Sequence, residues 1–190
     1  ILHQVEAAAK NMEWLVRDRL GNPDSLYAVT RMMMRTNPHV IGSCVAFEPG
    51  FYAEKGELFA PYSYLTEEGE VKDRNLGYAA YNYHAKEWYA TPKRLDRNYW
   101  SEPYFDEGGG DRVMSTYSHV LRNGEGKMFG ILTADISLDH LSGLVNGIKP
   151  YPGSYTLMIS RLGNYLVHPK PERILHETIY TCLLYTSPSP

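Results

Sequence analysis

The sequence predicts an α+β fold, and three observations carry that prediction. Two amphipathic helical patterns open the chain, short alternating strand patterns separated by turn residues fill its middle, and a third helical pattern followed by more strands closes it. Helices grouped at one end of a run of hairpin-connected strands imply an antiparallel sheet with helices packed on it, not the strand-helix alternation of a parallel sheet.

Leu2, Val5, Ala9, Met12, Val16 and Arg19 recur at intervals of three and four, with Glu6, Lys10, Glu13 and Arg17 on other faces, so the first element is an amphipathic helix. Its apolar seam is narrow, in the manner of a coiled coil, and predicts self-association through this helix. Gly21 ends it. Asn22-Pro23-Asp24 predicts the start of a second helix, with a capping side chain, a proline at the first helical position and an acid at the positive end of the dipole. Leu26, Val29, Met32 and Met33 form its predicted core face, and Asn37-Pro38 stops it.

Residues 40–47 read as a buried strand, and residues 58–65 and 71–76 as a hairpin about the Glu-Glu-Gly-Glu turn at 67–70. A short helix is expected to carry Lys86 to Tyr89, ended by Thr91-Pro92. Residues 100–106 look irregular and the glycine-rich stretch 107–111 flexible. Residues 112–121 and 127–136 predict two strands around Asn123-Gly124, a strong hairpin signal. Ser137 caps a predicted helix over 137–145, and strands follow at 155–160 and 165–167 about the turn at 162–164.

Composition narrows the function. The 190 residues are 43% hydrophobic and 22% charged, which is globular, and a formal net charge of −3 gives no reason to expect nucleic acid. Sixteen tyrosines suit either a ligand-gripping surface or a tyrosine-rich sheet. No apolar run is long enough to span a bilayer and no signal peptide is visible. The chain opens at Ile1 within a helical pattern, so a fragment is expected. Residues 182–190 read as a translated sequencing adapter, which leaves Cys44 as the one credible cysteine and no internal disulfide.

The chemistry concentrates in residues 81–89, Tyr-Asn-Tyr-His-Ala-Lys-Glu-Trp-Tyr, and in Asp135 at the end of a strand that is otherwise apolar. Lys86 can take a carboxylate, Asp135 an ammonium, and the rings of Tyr81, Trp88 and Tyr89 can cover a cation, a set that suits a small zwitterion. Trp88 and Tyr89 could equally be core aromatics. Asp135 could instead cap the following helix or pair with Lys86. Tyr62 and Tyr64 lie on one strand face and could line a pocket or pack. Glu102, Asp106, Glu107 and Asp111, near Trp100 and Tyr104, admit a second reading as a carbohydrate hydrolase. The histidines His84, His119, His140 and His168 lack metal-ligand spacing, and no cofactor is expected.

The spacing of Tyr81, Lys86, Trp88, Tyr89 and Asp135 resembles the amino-acid-binding pattern of double Cache sensor domains, Tyr-x4-Arg-x-Trp-Tyr with a later Asp, Lys86 standing at the arginine position. Residues 100–104 (Trp-Ser-Glu-Pro-Tyr), Thr116-Tyr-Ser and residues 130–138 resemble the same family. The likeness covers roughly residues 1–180 and is strongest over 81–138. It implies a helical region (1–36), a membrane-distal PAS-like ligand-binding module (37–136) and a truncated membrane-proximal module (137–181). It also implies an extracytoplasmic, non-enzymatic sensor of an amino acid or amine, dimeric through the first helix and joined to the membrane by segments outside this sequence. Lys86 and Trp88 would hold the ligand's anionic end. Tyr81, Tyr89 and Asp135 would hold its amine, and Trp100, Tyr104, Asp106 and Thr116 would form the wall. A Cache module that only dimerises is the remaining alternative.

Overall fold

The computed structural model describes residues 1–181; the adapter-like stretch lies outside the described residues. Helix α1 (Leu2–Asp18) is followed by a single 3-10 turn (Pro23–Ser25) and helix α2 (Leu26–Thr36). Strands β1 (Val40–Phe47), β2 (Pro61–Leu65) and β3 (Val71–Asn75) come next. Helix α3 (Glu87–Leu95) precedes short strands β4 (Tyr99–Trp100) and β5 (Tyr104–Phe105) and the long hairpin β6 (Val113–Arg122) and β7 (Met128–Ser137). Helix α4 (Leu138–Val145) and the pair β8 (Met158–Ile159) and β9 (Tyr165–Val167) complete the chain.

The main sheet runs β3-β2-β1-β7-β6-β4, with β5 also on β6, and every pairing is antiparallel. This is the expected α+β architecture. Alternation divides the two faces of the sheet. Leu132, Ala134 and Ile136 of β7 join Val5, Ala9 and Val16 of α1 and Leu26, Val29 and Met33 of α2 in one core. Ile131, Cys44, Tyr62, Trp88 and Tyr89 form a second core on the opposite face, under α3. Asp135 has the parity of Ile131 and therefore faces this second side.

Several local expectations are corrected. The α1 seam is not free for self-association: Val5, Ala9 and Val16 are at most 1% exposed, packed on the protein's own sheet, while Trp14 points outward at 66% exposure. Asn22 makes no side-chain cap, and the 3-10 turn takes up the Pro23 segment before α2 begins at Leu26. On α2 the core face uses Met34 in place of Met32, which is exposed.

Pro92 does not end the α3 helix; it lies inside it. Proline lacks the N–H that would bond the carbonyl four residues earlier. That carbonyl, on Trp88, instead accepts the Ser118 hydroxyl at 2.6 Å, so the sheet supplies the missing donor. The irregular 100–106 stretch resolves into β4 and β5 around Pro103, both held by β6. In the β6–β7 loop the left-handed residue is Gly126 (φ +81°) and not Gly124, while the Asn123 side-chain oxygen accepts from the amides of Glu125 and Lys127.

Candidate functional site

On the α3 side of the sheet, Asp135 of β7 lies opposite Thr116 on β6 and Gly42 on β1. Thr116 Oγ1 donates to Asp135 Oδ1 at 2.8 Å, and the Tyr104 hydroxyl sits 2.8 Å from the same Thr116 oxygen. When Asp135 is ionised it can only accept, so Thr116 spends its one proton on it and Tyr104 donates to Thr116, and the three groups then form a directed chain ending on Asp135.

A second acid completes the cluster. Asp106 Oδ1 accepts the Tyr81 hydroxyl at 2.6 Å and Oδ2 accepts the Gly110 amide at 2.7 Å. Lys86 holds its ammonium 4.7 Å from the centroid of the Tyr81 ring. Tyr62 from β2 brings a buried hydroxyl that makes no hydrogen bond of ordinary geometry among the described residues. Gly42 makes room for this: a Cβ there would lie 2.5 Å from both Asp135 Oδ2 and the Tyr62 oxygen.

The electrostatics are those of two acids sharing a dry site. Burial, and then the charge of Asp106, pushes the Asp135 carboxyl up to about 7 from 3.8; the hydroxyls of Thr116 and Tyr62 oppose the rise. Burial also raises Asp106, against the pull of Tyr81, the Gly110 amide and the Lys86 charge. The Tyr81 phenol is raised by burial and by Asp106, and the Trp88 indole lowers it. Neither structural explanation of Asp135 holds. The α4 cap is Ser137, whose oxygen accepts the His140 amide, and Lys86 makes no ion pair with Asp135 among the described residues. The buried carboxylate is left without a cationic partner there, an arrangement that costs free energy unless the group is neutral or something else supplies the charge.

The loop over residues 106–111 closes the cluster. Gly108 offers its carbonyl to Arg74 at 2.7 Å and to the Tyr78 hydroxyl at 2.8 Å, which pins the loop over Tyr81 and Asp106. Asp106 and Asp135 are 3% and 4% exposed. Cavities of about 420 and 570 Å³ open on other parts of the protein, the second of them against Asp111 at the end of this loop.

The structure therefore brings together Tyr81, Lys86, Trp88, Tyr104, Asp106, Thr116 and Asp135. It places Tyr89 and Trp100 elsewhere. Trp88 and Tyr89 are neighbours on a helix and diverge by about 100°. Trp88 turns toward Tyr81, whereas Tyr89 donates to Glu48 at 2.6 Å beside Lys93. Trp100 lies on the α1 side, donating its indole N–H to Glu6 at 2.8 Å and packing on Tyr117. Gly42 and Gly110 were missed, because only strand register and loop closure reveal what a glycine makes room for. The period-two pattern of β2 had at least offered Tyr62.

A family model described as the first PDC sensor domain of methyl-accepting chemotaxis protein-like receptors matches residues 26–143. The chain belongs to that family. The PDC sensor match covers β1 to β7 and every clustered residue above. The methyl-accepting chemotaxis protein TlpQ of Pseudomonas aeruginosa is 27% identical over 145 residues, 64% of this chain and 20% of that receptor's length. The chain thus spans about a fifth of that curated relative. The extracellular domain of soHK1S-Z6, named as a histidine kinase, superposes with a TM-score of 0.78 at 27% identity, over 97% of this chain and 72% of that one. The ligand-binding domain of Mlp24 with asparagine shares the fold, with a TM-score of 0.64 at 16% identity over 99% of this chain and 70% of that one. These PDC relatives agree with the double Cache resemblance and with an extracellular sensor domain. Among the described residues no helix is long and apolar enough to cross a membrane.

Proposed function

We propose that this PDC domain senses a small ligand bearing an ammonium group, an amino acid or an amine, at the Asp106 and Asp135 cluster. The observation that carries the reading is Asp135, a buried carboxylate with no cation beside it among the described residues. A ligand ammonium supplies that charge, and Tyr62 and Tyr81 offer oxygen and ring faces to it. Lys86 takes a ligand carboxylate as a point charge, where an arginine would offer a two-pronged fork. Trp88 supports the Tyr81 wall, and Tyr104 and Thr116 hold Asp135 in place. Support for an amino acid comes also from Mlp24, whose domain is described with asparagine. Tyr89 and Trp100 have no part in this proposal.

Binding stabilises the closed 106–111 loop, and the receptor reads that population shift through the segments that continue the chain. The hydrolase alternative loses its basis in the positions of the acids. Asp106 is buried in the cluster, Asp111 accepts the Gly108 amide, and Glu102 accepts the Asn164 side chain. A thermal-shift screen of the common L-amino acids and the matching primary amines tests the proposal, since a binder of the folded state raises its melting temperature. In calorimetry of the best hit, Asp135→Ala should lose on the order of 2–5 kcal/mol, about thirtyfold or more. Lys86→Ala should weaken the amino acid and spare the amine. Unchanged affinity in Asp135→Ala would sink the reading.

A further inference from the structure

A separate cavity of about 420 Å³ lies where β4, β6 and β7 meet α4 and the β8–β9 pair, on the opposite side of the sheet from Asp135. Its volume falls within the range of small-molecule sites, on the order of 300–1,000 Å³. Leu2, Ile136, Leu138, Leu141, Met158 and Leu166 make its wall apolar. Ser101 and Ser115 also line it, and both are already satisfied: Ser115 donates to the Ser101 carbonyl at 2.9 Å, and Ser101 Oγ accepts the Thr116 amide at 2.9 Å. The buried part of the cavity therefore asks an occupant for apolar surface and not for hydrogen bonds.

The exposed lining has the opposite character. Arg97 and Arg161 both line the cavity and are exposed, and neither forms an ion pair among the described residues. Arg161 lies 6.0 Å from the centroid of the Tyr99 ring, a residue that also lines the cavity. The one acid in the lining, Glu102, already accepts the Asn164 side chain at 2.8 Å. An apolar cavity bordered by two unpaired guanidinium groups fits an amphipathic anion, because guanidinium recognises carboxylate while the apolar wall covers a hydrocarbon body.

We infer that this cavity is a second ligand site, which takes a small carboxylate with an aliphatic or aromatic body. It touches α1 through Leu2 and α4 through Leu138 and Leu141, so its occupant bridges the main sheet and the C-terminal strand pair.

Sodium decanoate, kept below its micellar concentration, is the probe, titrated calorimetrically into the 190-residue chain beside decylamine as the control of opposite charge. Saturable one-site binding of decanoate, at least tenfold tighter than decylamine, is expected. The exposed double substitution Arg97→Glu with Arg161→Glu should reduce decanoate affinity tenfold or more without changing the melting temperature of the ligand-free protein. Leu141→Trp, which fills the apolar wall, should abolish binding in protein that still melts cooperatively. The inference fails if decanoate does not saturate, if decylamine binds equally well, or if the double variant binds decanoate like the parent.

Discussion

Replacing Asp135 by asparagine should make the ligand-free protein more stable at alkaline pH while removing amine binding. The unfolded chain ionises an aspartate near its ordinary 3.8, whereas the buried Asp135 holds its proton up to about 7. Between those values the native state binds the extra proton, so native stability is fully present below about pH 4, declines as pH rises, and reaches its lowest plateau above about pH 7. The interval is about three pH units, and at about 1.36 kcal/mol for each it amounts to as much as ~4 kcal/mol. Asp135 is only 4% exposed, so solvent screens it little. Asparagine has nearly the same shape, still accepts from Thr116 and never ionises. The variant should therefore match the parent near pH 4 and exceed it progressively, by as much as roughly 8–16 °C in melting temperature at pH 8, since each kcal/mol is worth about 2–4 °C for a chain of this length.

Melting curves of both proteins from pH 4 to 8, without ligand, measure this directly. An amine that pairs with Asp135 should restore the parent's stability at pH 8, and at pH 6, where Asp135 still holds its proton, binding should release protons, seen as a buffer-dependent enthalpy. The reasoning is refuted if parent stability is flat between pH 5 and 8, or if the asparagine variant is the less stable protein throughout that range. Either result would mean that Asp135 already has a counter-charge in the folded chain.

Trp100→Phe should lower stability by about 1 kcal/mol through loss of the indole bond to Glu6, and leave amino-acid affinity unchanged, since that ring lies across the sheet from the acids; calorimetry and melting on one sample check both halves. Ser118→Ala should cost about 1–3 kcal/mol, because the Trp88 carbonyl next to Pro92 then lacks any donor, and it should loosen α3 selectively in amide hydrogen exchange.

The sequence by itself determined the helical period of α1, the buried strand β1, the β6–β7 hairpin and the α4 cap at Ser137, because each rests on residues within a few positions of one another. It also supplied most members of the Asp106 and Asp135 cluster, through the spacing of Tyr81, Lys86 and Trp88 and the lone acid at Asp135. What it could not determine was which face each side chain joins once the sheet has formed. Tyr89 reads like Trp88 in one dimension, yet the helical twist sends it to Glu48. Trp100 precedes the cluster residue Tyr104 by four positions, yet it belongs to the α1 core. The apolar seam of α1 looked free for a partner, and the protein's own sheet covers it. Pro92 read as a helix stop until β6 brought Ser118 to the orphaned carbonyl. The meeting of Asp106 with Asp135 was equally out of reach, because the loop carrying one and the strand carrying the other come together only through sheet register and the closure of the loop by Arg74 and Tyr78. Local pattern fixes how a segment is built, and burial against distant segments fixes what its side chains meet.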